Sequence, residues 1–402
     1  AKKELTGSPM LRLKKRFLYT HKIFITIALL LIALFILPYL YWFILPVSPL
    51  SVVMIDKTTG TNYREHKTFF WLMEHWKYVN PETGNYYNPS TDFYGFFPSD
   101  SSFSHAEQMN LNDVDILYIA DTYGVYDYPM DYRQYERLIP ETYIPIELRY
   151  GGLSADEMDR IEEYERRGNR VIAEFNTMEA PQADVKPIQQ RLEKVFGVRF
   201  SGALGRYYDD VNTASRWMKD LYQKQYRKKW DLSGRGIIIT VTRGIGDDRP
   251  GVVVLESSDL SNTPVFVRKS GHPMLDGTED NVPYYYFFEF MDVDSSATVI
   301  AQYEIQCNGT GREKMIAAGL PLSFPAIVVS DSTEKKIYFA GDFADNEVDV
   351  ILTQYWNVEF LLSKLFSFYF VSDQTRFFWK FYLPMMKNIF HVASSERLQV
   401  QR

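Results

Sequence analysis

From Ile23 to Leu45 the chain runs for 23 residues without a charged side chain, IFITIALLLIALFILPYLYWFIL. At a rise of about 1.5 Å per residue such a run reaches across a hydrocarbon core of about 30 Å, so it reads as one spanning helix. Pro38 falls inside it, and Tyr39, Tyr41 and Trp42 cluster where an aromatic belt would meet the outer headgroups. A cleavable leader would have a shorter apolar stretch and a small-residue cleavage site, whereas Leu45-Pro46-Val47-Ser48-Pro49 follows here. The run is therefore expected to stay as an anchor.

Charge supplies the orientation. The first 22 residues hold seven bases (Lys2, Lys3, Arg12, Lys14, Lys15, Arg16, Lys22) and one acid, Glu4. From totals of 44 Lys plus Arg and 51 Asp plus Glu, the remainder keeps 37 bases against 50 acids. The positive-inside rule places residues 1–22 as a basic tail in the cytoplasm, 23–45 in the cell membrane and the acidic body outside it. An acidic body also argues against nucleic acid as its ligand. Cys307 is the single cysteine, which excludes an intramolecular disulfide and a cysteine-based zinc site.

Beyond a Pro46 to Pro49 linker, short β-branched runs alternate with amphipathic stretches, the pattern of an α/β sheet. Strands are predicted at 52–56, 114–120 and 170–175, with helices near 64–78, 154–168 and 185–196. Ser154-Ala155-Asp156-Glu157 is a capping box and Gly168 a helix stop. From Gly236 onward the chain is β-rich, so either antiparallel strands extend the sheet or a second layer is added. The stretch 80–112 is long, aromatic and weakly periodic, which suits a functional or partner-bound loop. Residues 347–402 hold two aromatic runs beside Lys364, Arg376, Lys380 and Lys387, suited to closing the core or to lying on a membrane or membrane partner.

Three stretches together resemble the class I glutamine amidotransferase-like superfamily: 114–121 with 153–174, Gly271-His272-Pro273-Met274-Leu275-Asp276-Gly277, and 324–329 leading to Lys336-Ile337-Tyr338-Phe339-Ala340-Gly341-Asp342-Phe343. The last two are similar to stretches in non-catalytic domains of some β-galactosidases and in extracytoplasmic accessory proteins of gliding-type ABC transporters. The resemblance covers about 52–346. It implies a flavodoxin-like, doubly wound α/β sheet with a β-rich C-terminal extension, giving a domain at 50–346 after the transmembrane helix and a helical segment at 347–402. Catalytic members carry a nucleophilic cysteine on a sharp strand-to-helix turn. Here Asn176-Thr177-Met178 follows the strand ending at Phe175, so the amidotransferase reaction is not expected.

Doubly wound sheets bind ligands beyond the carboxyl ends of their strands. Asp56, Asp121, Glu174 and Asp342 end predicted strands, and Arg64, Glu65, His66, Tyr123 and Asn176 follow within a few residues. Asp121, Glu174 and Asp342 are the candidate catalytic acids; Asp56, Arg64, His66, Tyr123, Asn176 and Arg206 are the candidate ligand-binding residues. Clustered carboxylates could hold a divalent cation or act as acid and base on a glycan. Asp and Asn at strand ends more often cap helices and make turns, so no metal is assigned. His66 and His75 lack zinc-site spacing, and the glycine turns lack a nucleotide-binding continuation, so no cofactor is expected. The sequence reading is thus a catalytically silent accessory subunit. Its expected partners are the lipid bilayer and a cell-envelope membrane complex for glycan synthesis, export or ABC-type transport. Docking would run through aromatic loops and the C-terminal segment, with glycan as a further ligand and no nucleic acid. The alternative is an extracytoplasmic hydrolase of envelope glycan or peptide using the strand-end carboxylates.

Overall fold

The computed structural model describes residues 9–127, 147–178, 185–241, 251–330, 333–346, 353–365 and 374–400. The apolar run ends a helix of 36 residues, Pro9–Ile44. Its stretch Tyr19–Ile44, with hydropathy 2.8, is long and apolar enough to cross a membrane, and the most apolar 18 residues of it are not buried against the rest of the chain. Proline has no N–H to give the carbonyl four residues back. The Leu34 oxygen opposite Pro38 accepts instead from Tyr355 Oη at 2.7 Å. At the far end Trp42 is buried: its Nε1 donates to the His75 carbonyl at 2.9 Å, and Lys77 Nζ lies 4.0 Å from its ring centroid. The last turn of the helix is therefore seated in the body.

That body is a mixed α/β structure built on a ten-stranded sheet. Its parallel part runs Tyr94–Phe97, Val52–Asp56, Ile116–Asp121, Arg170–Glu174, Lys336–Phe339, which is second, first, third, fourth and fifth of these strands in chain order. Val52–Asp56, Ile116–Asp121 and Arg170–Glu174 are apolar nearly throughout and buried along almost their whole length, because helices cover both faces. On one face Phe69 of helix Arg64–His75 meets Tyr118 and Phe390, at ring separations of 4.8 and 5.0 Å. On the other, Phe196 of helix Val185–Phe196 meets Tyr338 at 5.7 Å. Helix Ala155–Arg166 buries Met158, Ile161 and Tyr164 beside it, with the Ser154–Glu157 capping box formed and Gly168 at φ 78 ending it.

Both β-rich outcomes occur. Ser323–Val329, Thr298–Cys307, Leu260–Lys269 and Asn281–Pro283 extend the sheet antiparallel from Lys336–Phe339. Gly251–Glu256, Gly236–Val241, Val198–Tyr208 and Phe287–Val293 form a second, antiparallel sheet. The layers join through Phe290 stacked on Phe324 at 4.0 Å.

The aromatic stretches differ from the expectation of docking loops. Tyr87, Phe93, Tyr94 and Phe96 are core residues, because 80–112 supplies the last parallel strand, Tyr94–Phe97, covered at its edge by Ser102–Phe103, and Tyr284 is fully buried. Residues 375–400 continue as one helical run through a π-turn at Phe378–Tyr382 into Leu383–Val400. There Phe377, Phe378, Trp379, Phe381, Tyr382, Met385 and Phe390 pack into the same core as the central strands, so they offer a partner no free face. Val358–Leu365 and its approach leave Trp356, Phe360 and Leu361 outside, and the last helix leaves Val392 and Leu398 outside. Most of the aromatic loop at 123–135 lies outside the described residues.

Candidate functional site

The strand order reverses between Val52–Asp56 and Ile116–Asp121, and the crevice of such a sheet opens beyond their carboxyl ends. Asp56, Asp121 and Glu174 are the last residues of their strands, and Asp342 lies three residues past Phe339. Parallel pairing brings these ends together, with Asp56 opposite Asp121 and Phe339 opposite Glu174.

The acids then divide by their partners. Asp56 is sealed in the core, with Oδ1 accepting from the N–H groups of Thr58 and Thr59 and Oδ2 against His66 Nδ1 at 2.6 Å. His66 Nε2 lies 2.7 Å from the Pro89 carbonyl. Asp56 and His66, both fully buried, therefore hold the start of helix Arg64–His75 to the strand end. Asp121 accepts from Thr58 Oγ1, the Tyr123 N–H and Asn176 Nδ2, at 2.5, 2.6 and 3.0 Å. Burial still pushes its carboxyl up to about 7, with Asp56 adding repulsion, against the hydrogen bonds from Asn176, Thr58 and Tyr123. Glu174 Oε2 accepts from the Phe343 and Ala344 N–H groups at 2.8 and 3.1 Å, while its buried Oε1 has no hydrogen-bond partner.

The remaining acids converge. Glu65, at the start of its helix, meets Asp342 and Asp345 from the loop after Lys336–Phe339, and one oxygen of each lies within 4.8 Å of the others. Arg64 Nε pairs with Asp345 Oδ1 at 2.5 Å, and Tyr286 Oη donates to Asp345 Oδ2 at 2.6 Å. Burial first, then the surrounding carboxylates, raises Glu65 and Asp342 well above the usual carboxylate range. Burial does the same to Glu174. The site is a half-sealed acidic crevice beside Arg64, and an oxygen-donor set of this kind suits a hard cation or a positively charged group.

No family model matches the sequence, and no curated protein matches it. Solved structures do. A ThuA-like protein from Parabacteroides merdae aligns over 73% of this chain and 79% of its own, at 10% identity and TM-score 0.34. One from Bacteroides uniformis aligns over 80% and 94%, at 10% identity and TM-score 0.35. Alpha-L-fucosidase isoenzyme 2 from Paenibacillus thiaminolyticus aligns over 80% of this chain and 34% of its own, at 9% identity and TM-score 0.35. Likeness this slight fixes neither fold family nor activity.

Of the remaining sequence candidates, Asn176 and Tyr123 flank Asp121, Tyr123 through its backbone with its ring half exposed. Asn176 has φ 64, a left-handed backbone at the turn after Arg170–Glu174. Arg206 lies within the strand Val198–Tyr208, its guanidinium 4.4 Å from the Phe287 ring centroid and 5.6 Å from that of Tyr286. It thereby backs the tyrosine that holds Asp345. The residues the sequence did not single out are Asp345 and Tyr286. Asp345 follows no strand end directly, and Tyr286 sits in an aromatic run that looks like any other.

Proposed function

We propose that this chain is a single-pass, membrane-anchored domain of flavodoxin-like, amidotransferase-like build that has lost its thiol chemistry and serves as an extracytoplasmic accessory subunit of a cell-envelope membrane complex. The observation that carries the loss of chemistry is Asn176. By the resemblance, it would stand at the turn that carries the cysteine of catalytic members; its φ is 64 and its amide donates to Asp121 at 3.0 Å. Cys307 ends Thr298–Cys307 in the antiparallel extension, and burial pushes its thiol up, away from the reactive thiolate. The order of the five parallel strands supports the flavodoxin-like build. The seated Trp42 supports an uncleaved anchor, since cleavage after the apolar run would remove a core side chain. The basic residues before the run support a cytoplasmic amino end.

The test is extraction of the full chain from native membranes in mild detergent after crosslinking. Recovery of a defined membrane complex is expected; a monomer with no membrane partner overturns the reading. A second reading, hydrolysis of envelope glycan or peptide, is favoured by the Asp121 carboxyl near 7, suited to proton transfer. It requires activity on such a substrate that disappears in Asp121→Asn.

A further inference from the structure

The geometry points to a binding site for a hard divalent cation, of the Ca2+ or Mg2+ class, formed by Glu65, Asp342 and Asp345. It goes beyond the accessory-subunit reading and stands whether or not a partner exists. Three carboxylates with one oxygen each inside 4.8 Å repel one another, and a divalent ion is the smallest species that neutralises and ligates all of them. Asp342 is 8% exposed. Neither Asp342 nor Glu65 takes a hydrogen bond or ion pair among the described residues; every charge counted around Asp342 is another carboxylate. A buried carboxylate without a donor is costly, and folds supply either a proton, a cation or a metal.

A second observation comes from outside the trio. Glu174 is 1% exposed, and its Oε2 is tied to the N–H groups of Phe343 and Ala344, immediately past Asp342. This pins the loop that carries Asp342 and Asp345 and leaves Glu174 Oε1 idle against the same group of charges. Arg64 and Tyr286 fix Asp345 from behind, and each of its oxygens keeps a lone pair for an ion. The absence of His and Cys from the trio selects hard cations over zinc.

The test uses the full chain in detergent, stripped with a chelator and then titrated separately with Ca2+ and Mg2+ while its thermal midpoint is followed. A saturable rise with at least one ion is expected, with no rise from sodium chloride at equal ionic strength and none in Asp342→Asn. That variant is expected to melt no lower than the wild type in chelator, because it loses a buried repelling charge. The larger response identifies the ion. Terbium luminescence of the wild type supplies a readout that needs no variant: tyrosine-sensitised emission, excited through Tyr286, is expected and should be displaced by the same ion. A flat titration up to about 10 mM, well above the weak end of extracellular calcium affinities, overturns the proposal. So does an equal rise in Asp342→Asn, or emission that neither ion displaces.

Discussion

The side chain whose removal should cost most is Lys57. Its Nζ lies 2.7 Å from Glu157 Oε1 and donates to the Gly152 carbonyl, with both partners almost wholly buried. Burial pulls the Lys57 ammonium down. Burial would push Glu157 up, but Lys57, Tyr94 and the Ser154 N–H outweigh it and hold the carboxylate below its usual range. The pair is ionised, so Lys57→Met strands a charge in the core and should lower unfolding stability by about 3–5 kcal/mol in denaturant titration. Glu359 gives the pH dependence. Burial raises it, yet the hydrogen bond and charge of His75, with Lys387, bring it from 4.5 to about 2 in the folded protein. A carboxylate depressed by folding stabilises fully above its unfolded value, and that stability drains away as pH falls from 4.5 through 2. The loss should reach up to about 3 kcal/mol. Denaturant midpoints followed down to about pH 2 should therefore fall less steeply in Glu359→Gln than in the wild type.

Among the elements, the apolar helix is the one that joins two environments. Its apolar window is unburied, but its last turns are tied to the body by Trp42 and by Tyr355, and Trp356 meets Tyr41 edge to face at 5.0 Å. Trp42→Ala should cost about 3 kcal/mol or more, since a large core side chain is lost with its hydrogen bond. An unchanged unfolding midpoint in detergent would show that the helix is merely tethered. Helix Val358–Leu365 lies beside this junction, with Glu359 tied to His75 and Phe360 and Leu361 turned outward. Lys364 Nζ lies 5.7 Å from the Phe360 ring centroid beside this exposed apolar pair. Elements with strong local signals matched the expectation closely. Val185–Phe196 and Val52–Asp56 lie where the sequence pattern put them, while Val198–Tyr208 reaches 11 residues because pairing with Gly236–Val241 and Phe287–Val293 supports it.

Across the whole molecule, the chain builds four parallel strands, runs through a long β-rich excursion that extends this sheet and forms a second one, returns with the fifth parallel strand Lys336–Phe339, and closes the core with 375–400. Hydropathy, charge asymmetry, the missing cysteine and the run of strand-ending acids were readable from sequence because each is a local property of consecutive residues. The sequence alone thus determined a span long enough for a bilayer, an α/β body and a single cysteine, Cys307. Only the tertiary structure decided which acids are sealed, as Asp56 is by His66, and which are left facing one another, as Glu65 is with Asp342 and Asp345. Glu65 and Asp345 are 280 positions apart in sequence, and nothing between neighbours along a chain records that strand pairing will bring two such carboxylates to one crevice.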